Sequence, residues 1–253
     1  MIAEIQHRGR TFRVDLAKPL DLSLSLHAGE GQVRAWWVGP VRMEPVQNEG
    51  ITYAVVSGAP VNFRDVHFNP HGHGTHTESV GHIAPEAHPV GRMLDRYFFT
   101  AQVISVRPEE RRAPDKRVDS VITLEQLRGA IGDHPPEALV LRTLPTEELA
   151  RRDWSGTNPT YMQSTACAWL RSIGVKHLLL DLPSVDREED GGVLAAHHAF
   201  WDYPATTDLK RTITELIAVP ASVRDGEYLL ELQLANFTND AAPSRPVLYA
   251  VLS

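Results

Sequence analysis

Fourteen consecutive residues, Asn69-Pro70-His71-Gly72-His73-Gly74-Thr75-His76-Thr77-Glu78-Ser79-Val80-Gly81-His82, hold four histidines and one carboxylate. Imidazole nitrogen and carboxylate oxygen are the donors that suit zinc, manganese, iron and similar divalent ions. Burying so many of them without a metal or water partner is costly. His76 and Glu78 are two residues apart, so an extended backbone points them the same way, and the same holds for His71 and His73. His82 follows Glu78 by four residues. Such a loop can offer two or three ligands to one ion and keep a further histidine for proton handling. Gly72 and Gly74 let the backbone fold tightly between them. The chemistry expected is that of a metal-dependent active site, in which a divalent ion lowers the pKa of bound water toward ~7 and polarises a carbonyl.

The surrounding chain must position this loop. Val61 to Phe68 alternates with period two and runs straight into it, which predicts a strand as its base. Further strands are expected over 11–16, 21–26, 32–38 and 51–56 before the loop, and over 97–106, 138–144, 175–181, 228–234 and 247–251 after it. Thr123 to Arg128 carries a capping pattern that predicts a helix to about Ile131. A second helix is expected over Tyr161 to Ile173, stopped by Gly174. Helix, glycine and buried strand in succession form an α/β unit, which implies a partly parallel sheet. Pro89 to Tyr97 reads as a connector or short helix, and Arg107 to Arg117 as a charged surface loop. With no internal repeat and no low-complexity linker, residues 1–253 are expected to form a single α/β domain with mixed sheet and flanking helices.

Composition narrows the class. No apolar run approaches the ~20 residues of a membrane helix, and the N-terminus has no basic, then apolar, leader pattern. One cysteine, Cys167, fits a reducing cytoplasm and leaves no internal disulfide framework. A net charge of −7, without a Lys/Arg stripe, argues against a nucleic-acid surface. The partner expected is a small molecule.

The histidine stretch resembles the signature of the cyclase family of metal-dependent hydrolases, His-x-Gly-Thr-His-x-Asp-x-Pro-x-His, a family that includes kynurenine formamidase and isatin hydrolase. Gly74-Thr75-His76 and His82 match it, whereas Glu78 replaces the Asp, Val80 replaces the Pro, and Gly72 stands at the first His. His71 and His73 flank that position, and His71 is favoured as the substitute while His73 stays open. Weaker similarities follow in order: Asp21-Leu22-Ser23, Asp181-Leu182-Pro183-Ser184-Val185-Asp186, the His197 segment Ala196 to Trp201, and Ile213-Thr214-Glu215-Leu216. The resemblance implies a swivelling β/β/α fold, two divalent ions (zinc or manganese), ligands among His71, His73, His76, Glu78, His197 and Glu215, His82 as the proton carrier, and a homo-oligomer.

The reaction implied is hydrolysis of an amide-type C–N bond, in an aryl formamide or a cyclic amide. A metal-dependent lyase or cyclase acting on a hydroxy acid, and a catalytically silent metal-binding protein, are the competing readings. Trp36, Trp37, Phe63 and Phe68 are candidates to line an aromatic substrate pocket, with core packing the alternative. Asp181 and Asp186 are expected to cap a turn or pair with arginine, and His198 to lie on a helix surface. Ser184 lacks the glycine-flanked elbow of a nucleophilic serine, and Cys167 between two alanines reads as an inert core residue.

Overall fold

The structure, a computed structural model, describes residues 1–113, 115–132, 134–146 and 152–252. Its centre is a nine-stranded sheet in the order Ala241–Pro243, His76–Glu78, Thr212–Glu215, His177–Leu180, Ala138–Thr143, Phe98–Val106, Gly226–Glu231, Val247–Ala250, Leu20–Asp21. The four strands from Thr212–Glu215 to Phe98–Val106 run parallel, and the outer ones pair antiparallel. Ala138-Leu139-Val140-Leu141 and His177-Leu178-Leu179-Leu180 are buried throughout. Near-continuous apolar runs of this kind are what a parallel strand covered on both faces requires.

Helices α1 (Leu124–Ala130), α2 (Ser164–Ser172) and α3 (Ala195–Trp201) cover one face. Leu127, Leu170, Phe200 and Trp201 pack there against Leu139, Leu141, Leu178 and Leu180. Val103, Val140 and Leu179 point to the other face, against Leu22, Leu230 and Leu248. Thr123 and Gln126 close the expected capping box at the start of α1. The α/β class, the mixed sheet and the flanking helices are those read from the sequence. No described helix is long and apolar enough to cross a membrane.

The structure departs from the expected elements mainly before the histidine loop. Over 32–38 there is an isolated bridge, Arg34 to Asp153, and no strand. Trp36 and Trp37 take left-handed φ values of 61° and 53°, which a strand cannot accommodate. The 51–56 segment is strand only at Ile51–Thr52 and then turns through Val55–Ser57. Of the strand expected over 21–26 only Asp21 pairs, at the end of Leu20–Asp21, because its carboxylate accepts from the Ser23 amide and hydroxyl and diverts the backbone. Arg64–His67 pairs with Arg42–Pro45 as an exposed two-stranded ribbon outside the main sheet. The charged segment contains a strand, Glu109–Arg112, antiparallel to Val118–Ile122; position 114 of it lies outside the described residues.

Candidate metal centre

Strand pairing brings the distant ligands together. The short strand His76–Glu78 lies between Thr212–Glu215 and Ala241–Pro243, with Glu215 opposite His76 and Ala241 opposite Glu78. Glu215 is thus the last residue of a parallel strand, at the sheet end where open α/β sheets bind their ligands. The entry into the strand is fixed by two motif residues. Gly74 has φ +124°, a conformation that side chains other than glycine rarely adopt. The Thr75 hydroxyl donates to the Leu216 carbonyl at 2.6 Å and accepts the Leu24 amide at 2.8 Å, tying three segments together. Thr77 and Thr214 share a further hydroxyl bond at 2.8 Å between the strands.

His71, His76, Glu78, His82, His197 and Glu215 converge. His71 Nδ1 lies 3.2 Å and His82 Nδ1 3.9 Å from Glu78 Oε2. His197 Nε2 lies 3.1 Å from Glu78 Oε1 and 4.0 Å from Glu215 Oε1. His76 Nε2 is 3.5 Å from Glu215 Oε2. The ligand atoms form overlapping trios within 4.8 Å of one another, namely His71, His76 and Glu78, then Glu78, His82 and His197.

Each imidazole is aimed by what sits behind it. His76 Nδ1 donates to the Gly74 carbonyl at 3.0 Å, which leaves the Nε2 lone pair facing the cluster. His197 lies on α3, and its Nδ1 donates to Asp186 at 2.6 Å. Asp186 also accepts the Ala196 and His197 amides, so one carboxylate caps the helix and orients its histidine. The sequence predicts a turn or an arginine partner for Asp186; the structure gives it the first turn of α3 and His197 instead.

The electrostatics call for a cation. Burial pushes the Glu78 carboxyl up, but the His82 charge, the His197 hydrogen bond at Oε1 and the nearby His71 outweigh this and hold it well below the usual range. Burial, and then the Glu78 charge, push Glu215 up. Burial opposes charge on His71, yet the hydrogen bond to Asp240 and the Glu78 carboxylate 3.2 Å away raise it to about 10. His197 also rises to about 10, against its burial, through Asp186 and Glu78. The raised His71 and His197 favour their protonated forms, whose charge offsets the carboxylates. A divalent cation supplies the same positive charge and releases those protons. The residues fit such an ion on a second count, because His76 Nε2 and Glu78 Oε2 are buried with no hydrogen-bond partner. Buried polar atoms are rarely left so, and these two face one cluster.

Not every candidate reaches the centre. His73 is held outside it, because Nδ1 accepts the Asn69 amide at 2.7 Å and Nε2 donates to the Gly39 carbonyl at 2.6 Å, leaving neither nitrogen for an ion. Of the aromatic candidates, Trp36 packs with Val33, Ala35, Trp154 and Leu216, one residue beyond Glu215. Trp37 and Phe63 are exposed, the latter edge-on to Tyr53, and Phe68 packs on Phe237. His198 bonds the Tyr203 carbonyl. Ser184 accepts the Asp186 amide. Asp181 accepts the Thr143 amide and hydroxyl, and burial raises its carboxyl to about 6. A cavity of about 410 Å³ at the same sheet end is lined by Thr143, Asp181, Leu182 and Trp154, among others. The residue that sequence reasoning missed is Asp240. Its Oδ2 lies 2.9 Å from His71 Nε2 and 3.4 Å from His82 Nδ1.

The sequence profile of the family described as "Putative cyclase" matches residues 14–187, more than half of the chain. The chain belongs to the cyclase family. It is 27% identical over 237 residues to kynurenine formamidase of Bordetella avium, covering 92% of this chain and 96% of that protein. The kynurenine formamidase of Bordetella petrii is 28% identical over 198 residues, covering 78% and 84%. In structure, isatin hydrolase A from Labrenzia aggregata superposes with a TM-score of 0.66 at 13% identity, over 93% of this chain and 94% of that one, and therefore shares its fold.

Proposed function

We propose that this chain is a metal-dependent hydrolase that cleaves an amide-type C–N bond in an aryl formamide or a cyclic amide. The observation that carries the reading is the pair of unpartnered buried atoms, His76 Nε2 and Glu78 Oε2, inside a ring of His71, His82, His197 and Glu215. Relatives named kynurenine formamidase and isatin hydrolase support the reaction class.

In this reading His71, His76, Glu78, His197 and Glu215 hold two divalent ions, zinc or manganese. Bound there, such ions polarise a substrate carbonyl and lower the pKa of water. The chain's own residues do the rest. Glu78 and Glu215 set the negative charge of the centre, and Glu78 stands between the two groups of imidazoles. Asp186 keeps His197 in one tautomer, with Nε2 turned inward. His82 is the most accessible imidazole of the cluster, with a side chain 31% exposed against 2% for His197 and none for His76. In this reading it gives a proton to the departing nitrogen. The proposal extends to residues 1–253 acting as one domain, in a reducing cytoplasm, as a homo-oligomer.

The test is a substrate screen of chelator-stripped protein reloaded separately with zinc and manganese. Hydrolysis of N-formylkynurenine, isatin or a simple lactam, present with metal and absent without it, is expected. Inactivity on all three classes, together with dehydration or cyclisation of a hydroxy acid, would sink the reading.

A further inference from the structure

The family's first histidine falls at Gly72, and the structure shows why no side chain stands there. A Cβ at Gly72 would lie 2.7 Å from Val38 Cγ2 and 3.1 Å from the Ala35 carbonyl oxygen. The Ala35 amide also donates to the Gly72 carbonyl at 3.0 Å, so the two segments are held in contact. His71, one residue earlier, reaches the centre instead, and it does so with Nδ1, 3.2 Å from Glu78 Oε2. An imidazole that faces a cluster with one nitrogen is oriented by what its other nitrogen meets. Behind His71 that partner is Asp240, at 2.9 Å from Nε2; a carboxylate only accepts, so Nε2–H donates and Nδ1 is the nitrogen left to bind an ion at the centre.

Asp240 is placed as firmly as the ligands are. It immediately precedes Ala241–Pro243, the strand that pairs with His76–Glu78. Its carbonyl accepts the Ser79 amide at 2.9 Å. One strand pairing therefore sets Glu78 on one side of the His71 ring and Asp240 on the other. The same Oδ2 is 3.4 Å from His82 Nδ1, and the His71 and His82 rings lie 4.3 Å apart.

We infer that Asp240 is the positioning residue that turns His71 into a metal ligand through Nδ1, in place of the side chain that position 72 cannot carry. The inference rests on the metal reading above and adds to it a residue, a tautomer and a cause. A carboxylate behind a metal-binding histidine changes affinity through that histidine, typically 10- to 100-fold. Its effect must therefore vanish when the histidine is gone.

The experiment is competition for zinc between the protein and a chromophoric chelator, in wild type, Asp240→Ala, Asp240→Asn, His71→Ala and the Asp240→Ala/His71→Ala double variant. Asp240→Ala is expected to weaken zinc binding about 10- to 100-fold. Asp240→Asn keeps an acceptor oxygen, so its loss should be smaller, and it serves if the alanine variant does not fold. The double variant should bind zinc as His71→Ala does. Zinc binding that is unchanged in both Asp240 variants, or losses that add in the double variant, overturn the assignment of Asp240 and leave the metal reading standing. A wild type that binds no zinc overturns both.

Discussion

His76 and Glu215 face one another across a strand pair, with His76 Nε2 3.5 Å from Glu215 Oε2 and no hydrogen bond from Nε2 to any partner. The pair register puts Glu215 directly opposite His76. Both side chains are almost fully buried, and Glu78 brings a second carboxylate beside them. This arrangement is costly by itself and favourable around a cation. It follows that the centre and the stability of the fold are linked.

Metal removal should therefore lower the melting temperature. At free ion 100-fold above its Kd, a ligand bound only to the folded state adds about 2.7 kcal/mol. Differential scanning calorimetry with and without chelator measures this, and equal melting temperatures would count against a cation site in this cluster.

His82→Gln should separate chemistry from metal binding. Its accessible ring is assigned to proton transfer, so metal content should stay near that of wild type while turnover drops at least ~10²-fold. Loss of metal in this variant would make His82 a ligand.

Gly72→Ala tests the contact that displaces the family histidine. The added methyl meets Val38 at 2.7 Å and the Ala35 carbonyl at 3.1 Å. Overpacking of this sort costs about 1–3 kcal/mol. Thermal denaturation should show that loss, and Val38→Ala in the same chain should recover part of it. No recovery would place the strain elsewhere.

His177 gives the pH dependence of stability a separate handle, away from the centre. It is buried against Phe99, its Nδ1 meets Thr212 Oγ1 at 2.9 Å, and burial lowers its pKa to about 3. The unfolded chain takes up this proton near pH 6.5, whereas the folded chain does not until about pH 3. Between those values the unfolded state binds more protons, so stability falls as pH falls, by up to about 1.4 kcal/mol per pH unit. Urea unfolding at several pH values should show a shallower slope in His177→Gln. An unchanged slope would mean that His177 titrates in the folded state.

The reach of the sequence can be judged from particular residues. His76, Glu78 and His82 lie within one stretch, whereas His197 and Glu215 are reached only through the family resemblance of their segments. Period and capping locate α1, α2 and the buried parallel strands. Asp240 is not legible, since it lies far from the histidine stretch in sequence and gains its meaning only when Ala241 pairs with Glu78. His73 illustrates the reverse case. Its spacing suits a ligand, but Asn69 and Gly39 occupy both its nitrogens. The expected strand over 32–38 fails because alternation does not report the left-handed backbone at Trp36 and Trp37. Partial burial of Trp36 and exposure of Trp37 are settled by that turn, not by residue type.

The most direct measurement is the metal content of the purified protein, determined by mass spectrometry for wild type and for His76→Ala after growth with added zinc or manganese. The cluster predicts at least one ion per chain in wild type and a marked loss in the variant. Occupancy far below one ion per chain in wild type, or full occupancy in His76→Ala, would contradict a metal centre built on His76, Glu78 and Glu215.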